Sequence, residues 1–323
     1  MKARTIAVIG AGPVGGILAA HISAAGHTVV LADSFKEHIE RIHAEGLHIT
    51  GREEMLARPT YLLDSIGALA KFEPEFVFIC TKACDLGNVL DEMSDGLKRS
   101  GAVFVSFQNG IDTEQVIAER IGAGRVLRAV VSFAGVLAGP GEIRETFFEQ
   151  PNYVGWLDGS GEAPCREIAA LLTASGLATE ATGEIRRFVW RKAILNSCTM
   201  SIAAVTGMNM QEMIEFPPTA RLVELLLDES VAVAAAYGYD FGPEFVERVK
   251  DFNRRAGPHR PSMLADIEKG RKTENGFLIC RIAEYADRKG IPAPFHRTMA
   301  TIIDALELRG RGIPNPKPVN GER

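Results

Sequence analysis

Lys192 and Asn196 stand four residues apart in the run Phe188-Val189-Trp190-Arg191-Lys192-Ala193-Ile194-Leu195-Asn196, so on a helix an ammonium and a carboxamide share one face. Ile194 and Leu195 point elsewhere. A cationic lysine beside a ketone carbonyl can stabilise the alkoxide that forms as hydride arrives, and can donate the proton that completes the alcohol. A helical lysine taken alone is ordinarily solvated. The apolar neighbours and Trp190 argue for a more sheltered one here.

A second constellation lies near the start of the chain. Ile6-Ala7-Val8-Ile9 is a short apolar strand that runs into Gly10-Ala11-Gly12-Pro13-Val14-Gly15 and then into a helical stretch from Val14 to about Ala25. This is the G-x-G-x-x-G turn of a dinucleotide site. Gly10 permits the tight turn, Gly12 lets backbone approach a pyrophosphate, and Gly15 lets helix pack on strand. The helix N-terminus then presents N–H groups to the phosphates. The next strand, His27 to Ala32, ends in Asp33, eighteen residues beyond Gly15, where a carboxylate can accept from a ribose hydroxyl or simply be solvated. Glycines interrupt the early apolar run, which argues against a signal peptide.

The elements needed to position these groups follow from pattern. A helix is expected over Lys36 to Glu45 and a small strand at Leu47 to Thr50. Glu75 to Cys80 and Ala102 to Phe107 read as buried strands, followed by Thr81-Lys82 and by Gln108-Asn109-Gly110. With helices at Asp85 to Arg99 and Thr113 to Ile121 they form βαβ units in a mostly parallel sheet. Gly10, Asp33, Lys82 and Asn109 then share the carboxyl edge of the sheet, where ligands bind. Val126 to Asp158 reads as antiparallel additions to that sheet, and Ala163 to Ser175 as a further helix. Beyond Glu184 the pattern turns helical: Arg187 to Ala204, Thr219 to Tyr237, Glu244 to Arg254, Ser262 to Glu268 and Thr273 to Arg288.

The expected architecture is therefore an α/β, Rossmann-type dinucleotide-binding domain over residues 1–180, an all-helical domain over 181–310 and a loose tail over 311–323, the looseness expected from about Arg309. The 323 residues suit two cores, and a net charge of −5 gives no broad footprint for nucleic acid or an anionic membrane. No apolar run approaches a membrane span, and the scattered cysteines make the cytoplasm the expected location. The five cysteines (Cys80, Cys84, Cys165, Cys198, Cys280) are scattered without a C-x-x-C pair and read as reduced thiols, Cys80 and Cys84 as packing residues. His38, His43 and His48 recur every five residues, share no helical face, and read as surface residues with no metal site.

Five motifs in order resemble the ketopantoate reductase family over nearly the whole chain, about Lys2 to Leu308. They are the glycine turn, Thr81-Lys82-Ala83, Gln108-Asn109-Gly110, Trp190-Arg191-Lys192 with Asn196, and Ser262-Met263-Leu264-Ala265-Asp266-Ile267 followed by Arg271-x-Thr273-Glu274. The resemblance implies a reductase of 2-oxoacids that uses NADH or NADPH in a cleft between two domains. It casts Lys192 as general acid, with Asn109, Asn196, Ser262 and Glu274 positioning substrate and nicotinamide, and a carboxylate at Glu274 can hold Lys192 protonated and aimed. A homodimer through the helical domain is the expected assembly. Three departures stand out. Asp33-Ser34 replaces an arginine that would meet the 2′-phosphate of NADPH, which favours NADH, while Lys82 retains a phosphate-side signal for NADPH. Met200 replaces an asparagine that faces substrate. The stretch from Glu274 to Asn275-Gly276 is about four residues shorter than usual, about one helical turn. Two other readings are an NAD-dependent dehydrogenase for a different branched or aromatic 2-hydroxyacid and a non-catalytic dinucleotide sensor.

Overall fold

The computed structural model describes residues 2–157 and 161–310, so the expected tail over 311–323 and Asp158 lie outside the described residues. The chain divides into two compact units, Met1–Val189 and Trp190 onward.

The first unit opens with β1 (Thr5–Ile9), α1 (Pro13–Ala24), β2 (Thr28–Ala32), α2 (Lys36–Glu45), β3 (Leu47–Gly51), β4 (Met55–Ala57) and β5 (Tyr61–Leu63). It continues with β6 (Phe76–Ile79), α3 (Leu86–Glu92), α4 (Asp95–Lys98), β7 (Val103–Ser106), α5 (Thr113–Ile121), β8 (Val126–Val130), β9 (Phe133–Gly139), β10 (Glu142–Phe148), β11 (Asn152–Trp156), α6 (Glu162–Ala174) and β12 (Thr179–Thr182). Eight strands form one sheet in the order β12-β11-β8-β7-β6-β1-β2-β5. All its pairings are parallel except β11 with β8. The strands read as unbroken apolar runs because both faces are covered. Ile6, Val8, Val29, Leu31 and Phe78 join the core beneath α1, α2 and α6, while Ala7, Ile9, Val30, Val77 and Ile79 join the core beneath α3 and α5.

The segment from Val126 needs correction. β8 pairs parallel with β7, and β9 and β10 leave the main sheet for a second one of order β4-β3-β10-β9, so β11 alone is an antiparallel addition. The cause is the hairpin at Gly139-Pro140-Gly141: β10 finds β3 as a parallel neighbour, Glu142 opposite His48, and its Ile143 packs onto α1. The expected helix from Asp85 to Arg99 is broken into α3 and α4, because Ser94 adopts extended backbone and caps α4 by accepting from the Leu97 N–H.

In the second unit the regular elements among the described residues are all helices. α7 (Ile185–Thr206) is followed by α8 (Met210–Glu215), α9 (Pro217–Ala236), α10 (Phe245–Ala256), α11 (Ser262–Glu268), α12 (Ile279–Lys289) and α13 (Pro294–Gly310). Local signals account for the boundaries: Asn209 and Glu212 form a capping box at α8, and Pro217 opens α9. Two expectations fail here. Thr273 and Glu274 precede a short 3₁₀ turn rather than starting a helix, since the helix begins only at Ile279. Arg309 and Gly310, expected in a loose tail, complete α13. Trp190 stacks with Tyr237 and Tyr239 and meets Tyr285 edge-on, which packs the start of the unit on α9 and α12.

Candidate active site

The glycine turn is shaped by close approach. Gly10 has φ +98°, and a Cβ there would lie 2.8 Å from the Thr81 nitrogen; a Cβ on Gly15 would overlap the Gly10 carbonyl and press on Cys80. Gly12 differs. Its φ of −62° suits any residue, and no atom lies within 4 Å of where its Cβ would be. The protein itself does not require glycine there, whereas a pyrophosphate seated at the start of α1 does. Pro13 occupies the first turn of that helix and no side chain caps it. These residues fit a dinucleotide.

Asp33 sits half-buried at the end of β2 and faces this turn: its Oδ2 accepts from the Ala11 N–H at 2.6 Å and its Oδ1 from the Phe35 N–H at 2.8 Å. Each oxygen keeps a lone pair for a ribose hydroxyl. Lys82, half-buried, follows β6, and its carbonyl accepts from Gln108 Nε2 at 3.2 Å, tying the loop after β6 to the loop after β7 that carries Asn109. Gly10, Asp33, Lys82 and Asn109 thus follow the carboxyl ends of the parallel strands β1, β2, β6 and β7, the placement expected for them, while Gly12 and Gly15 lie at the start of α1.

Two residues beneath these loops escaped the sequence reading. Arg128, 2% exposed on β8, donates to the carbonyls of Gln108 at 2.6 Å and Gly110 at 2.9 Å, so it clamps the loop on both sides of Asn109. Glu114 on α5 is its ion-pair partner, with 3.3 Å between Nε and Oε2. Burial pushes the Glu114 carboxyl up, and Arg128 opposes that shift. An arginine between Leu127 and Ala129 in an apolar strand was the available signal. His38 is a correction: it is buried, at 1% exposure, whereas His43 and His48 are at the surface as expected. The ring bonds the backbone of Ala11 and of Gly141.

In the second unit, Lys192, Asn196 and Met200 follow one another at helical spacing on α7, Lys192 and Met200 half-buried and Asn196 only 6% exposed. The Nδ2 of Asn196 is buried and has no hydrogen-bond partner among the described residues, an arrangement that costs stability unless a ligand accepts from it. Ser262 opens α11 after Pro261, exposed, with its hydroxyl 3.9 Å from the Met200 sulfur. The structure therefore brings Ser262 to the Met200 end of that face. Glu274 is buried, at 8% exposure. Both its neighbours are fastened to α13: the Thr273 N–H donates to Glu307 at 2.8 Å, and Asn275 donates to the Ala300 carbonyl at 3.0 Å and to Asp304 at 2.8 Å. Arg271 has a structural partner, Asp266, at 2.9 Å. Cys165 and Cys198 are buried, and burial pushes the Cys198 thiol up to about 12 and the Cys80 thiol further. No helix among the described residues is long and apolar enough to cross a membrane.

Comparison with known proteins agrees along the chain. Residues 6–159 match the family described as "Ketopantoate reductase PanE/ApbA" and residues 184–307 its C-terminal domain. A 2-dehydropantoate 2-reductase of Halobacterium salinarum is 26% identical over 308 residues, covering 94% of this chain and 99% of the relative. Among solved structures, a PanE/ApbA family ketopantoate reductase from Ralstonia eutropha superposes with a TM-score of 0.84 at 22% identity, covering 95% and 99% of the two chains. A D-mandelate dehydrogenase solved with NADH and anilino(oxo)acetate gives the same TM-score, identity and coverage. At these identities the structural likeness shows the fold.

Proposed function

The chain belongs to the ketopantoate reductase family, oxidoreductases that use NAD(P)H, and on that premise we propose that it reduces the ketone of a small 2-oxoacid lacking the terminal hydroxyl of ketopantoate, with NADH as the preferred donor. The dinucleotide supplies a hydride. The protein supplies the rest: the glycine turn (Gly10, Gly12, Gly15) seats the pyrophosphate, Asp33 accepts from the ribose hydroxyls, and Lys82 lies on the phosphate side. Lys192 donates the proton that turns the developing alkoxide into the alcohol, and the Glu274 carboxylate keeps it charged and aimed. Asn109 and Asn196 position the ketone and the nicotinamide, and the Ser262 hydroxyl meets the carboxylate of the substrate. Ketone, hydride and proton together give the hydroxyacid.

The observation that carries this reading is the buried Nδ2 of Asn196, without a hydrogen-bond partner among the described residues, on the face it shares with Lys192 and Met200. A helix that spends a buried donor there is built around an acceptor that arrives from outside. Met200 narrows the choice, since a thioether beside Ser262 offers apolar surface where an asparagine would hold a hydroxyl. A second reading, an NAD-dependent dehydrogenase of an aromatic 2-hydroxyacid, is favoured by the same methionine together with Asp33. The fold relative described with NADH and an aryl oxoacid amide makes aryl glyoxylate a natural probe. The test is a panel of ketopantoate, 2-oxoisovalerate and aryl glyoxylate, each with NADH and NADPH. Reduction of 2-oxoisovalerate or aryl glyoxylate at least as well as ketopantoate, with NADH ahead, is expected. A thousandfold preference for ketopantoate would overturn the substrate reading. Assembly as a homodimer through the helical unit belongs to the same proposal and accords with exposed Val205, Phe216, Ile302 and Leu308.

A further inference from the structure

Ala11, inside the glycine turn, has both of its backbone polar groups taken by side chains. Its N–H donates to Asp33 Oδ2 at 2.6 Å, and its carbonyl lies 2.9 Å from His38 Nε2. The other ring nitrogen of His38, Nδ1, lies 2.8 Å from the backbone nitrogen of Gly141. A backbone N–H can only donate, so Nδ1 accepts and carries no proton; Nε2–H is therefore the donor to Ala11, and the buried ring is held as one neutral tautomer. The hairpin that supplies Gly141 is itself tied to β3, because the Gly141 carbonyl accepts from the His48 N–H at 2.9 Å. Phe35 stacks on His38 at 5.9 Å and donates its N–H to Asp33. Asp33 and His38, five residues apart, thus close a ring through Ala11.

The Ala11 carbonyl and the Gly12 N–H belong to one rigid, trans-planar amide and point in opposite directions. A donor fixed on the carbonyl therefore fixes where the N–H aims, and it also polarises the amide, which makes that N–H a better donor. We propose that His38 is a positioning residue for the dinucleotide: from outside the glycine motif it sets the direction of the Gly12 N–H toward the pyrophosphate. The inference rests on the dinucleotide reading of this site. A histidine that only packed α2 against the hairpin would need Gly141 alone.

Two substitutions separate the jobs. In His38→Gln the side-chain amide can reach the Ala11 carbonyl but no longer serves Gly141. In His38→Asn the side-chain oxygen replaces Nδ1 toward Gly141 and the donor to Ala11 is lost. Titrating the full-length protein with NADH, we expect His38→Ala to raise the Kd about tenfold, the scale of one net hydrogen bond, and His38→Gln to restore it to within about threefold while His38→Asn does not. The kcat at saturating NADH should stay within about twofold of wild type in all three, because the loss lies in binding. The melting temperatures should fall comparably in the Gln and Asn variants. If His38→Ala fails to fold, the Gln and Asn pair carries the comparison. Rescue of NADH affinity by Asn and not Gln, or a folded Ala variant with wild-type Kd, would overturn the proposal. A wild-type protein that binds neither NADH nor NADPH would overturn the dinucleotide reading instead.

Discussion

Asp33 carries two roles that substitution pulls apart. In the proposed site its charge meets the 2′ substituent of the adenosine ribose, and the same carboxylate holds the Ala11 N–H of the glycine turn. The wild-type protein should favour NADH over NADPH by about tenfold or more in kcat/KM, since a carboxylate against a phosphate costs at least about 1.4 kcal/mol. Asp33→Arg should move the preference toward NADPH while weakening both cofactors, because the Ala11 N–H loses its acceptor. A variant that gains NADPH with undiminished NADH affinity would show the bond to Ala11 to be idle. Met200 poses a simpler question. Its sulfur lies 3.9 Å from the Ser262 hydroxyl, and in the proposed site an amide in its place would bind a hydroxylated substrate. Met200→Asn should shift the ratio of ketopantoate to 2-oxoisovalerate turnover toward ketopantoate by about 1–3 kcal/mol, read from competition between the two. An unchanged ratio would remove Met200 from substrate choice.

At the scale of elements, α9, which meets α7 at Cys198, is itself fastened to α13, a helix that the sequence pattern leaves out. Glu229 on α9 accepts from the N–H groups of Phe295 at 2.8 Å and His296 at 2.9 Å, capping α13, and from His296 Nδ1 at 2.7 Å. His296 Nε2 lies 3.0 Å from the Ser230 hydroxyl, and Ser230 3.6 Å from Cys198, two residues past Asn196. Burial alone would raise the Glu229 carboxyl, but its hydrogen bonds from His296 and Phe295 outweigh burial and hold it below its ordinary 4.5. A depressed carboxyl stabilises the fold above its unfolded pKa, and the contribution is lost as pH falls through the lower folded value. Denaturant midpoints should therefore fall as the pH drops from about 5 toward about 3, and fall less steeply in Glu229→Gln, which should also be about 1–3 kcal/mol less stable at neutral pH. Equal acid slopes would place the sensitive group elsewhere. None of this was legible in sequence, because a capping residue 66 positions from Phe295 leaves no local signal. The parallel core was legible, since β1, β2, β6 and β7 are apolar on both faces. The second sheet was not: β9 and β10 differ from antiparallel additions only in which strand they find, a long-range outcome. His38 was misread for a related reason, as its partners are backbone atoms of Ala11 and Gly141 that no periodicity reports.

Over the whole molecule the labour divides by unit. The groups proposed to seat the dinucleotide all belong to the first unit, while Lys192, Asn196, Met200, Ser262 and Glu274 belong to the second. Binding of the cofactor and protonation of the product should then respond to different substitutions. Lys192→Ala should lower kcat about a hundredfold or more, the scale of a lost general acid, while the Kd of NADH changes by less than about twofold. The reverse pattern is expected at the glycine turn, where His38 substitutions act on Kd and spare kcat. Measuring both constants in both variants distinguishes this division from a merely destabilised protein, which would lose the two together. A Lys192→Ala protein with near wild-type turnover would remove that residue from proton transfer. One whose NADH affinity falls as far as its kcat would show Lys192 to be a cofactor or folding residue, and the division of roles between the units would fail with it.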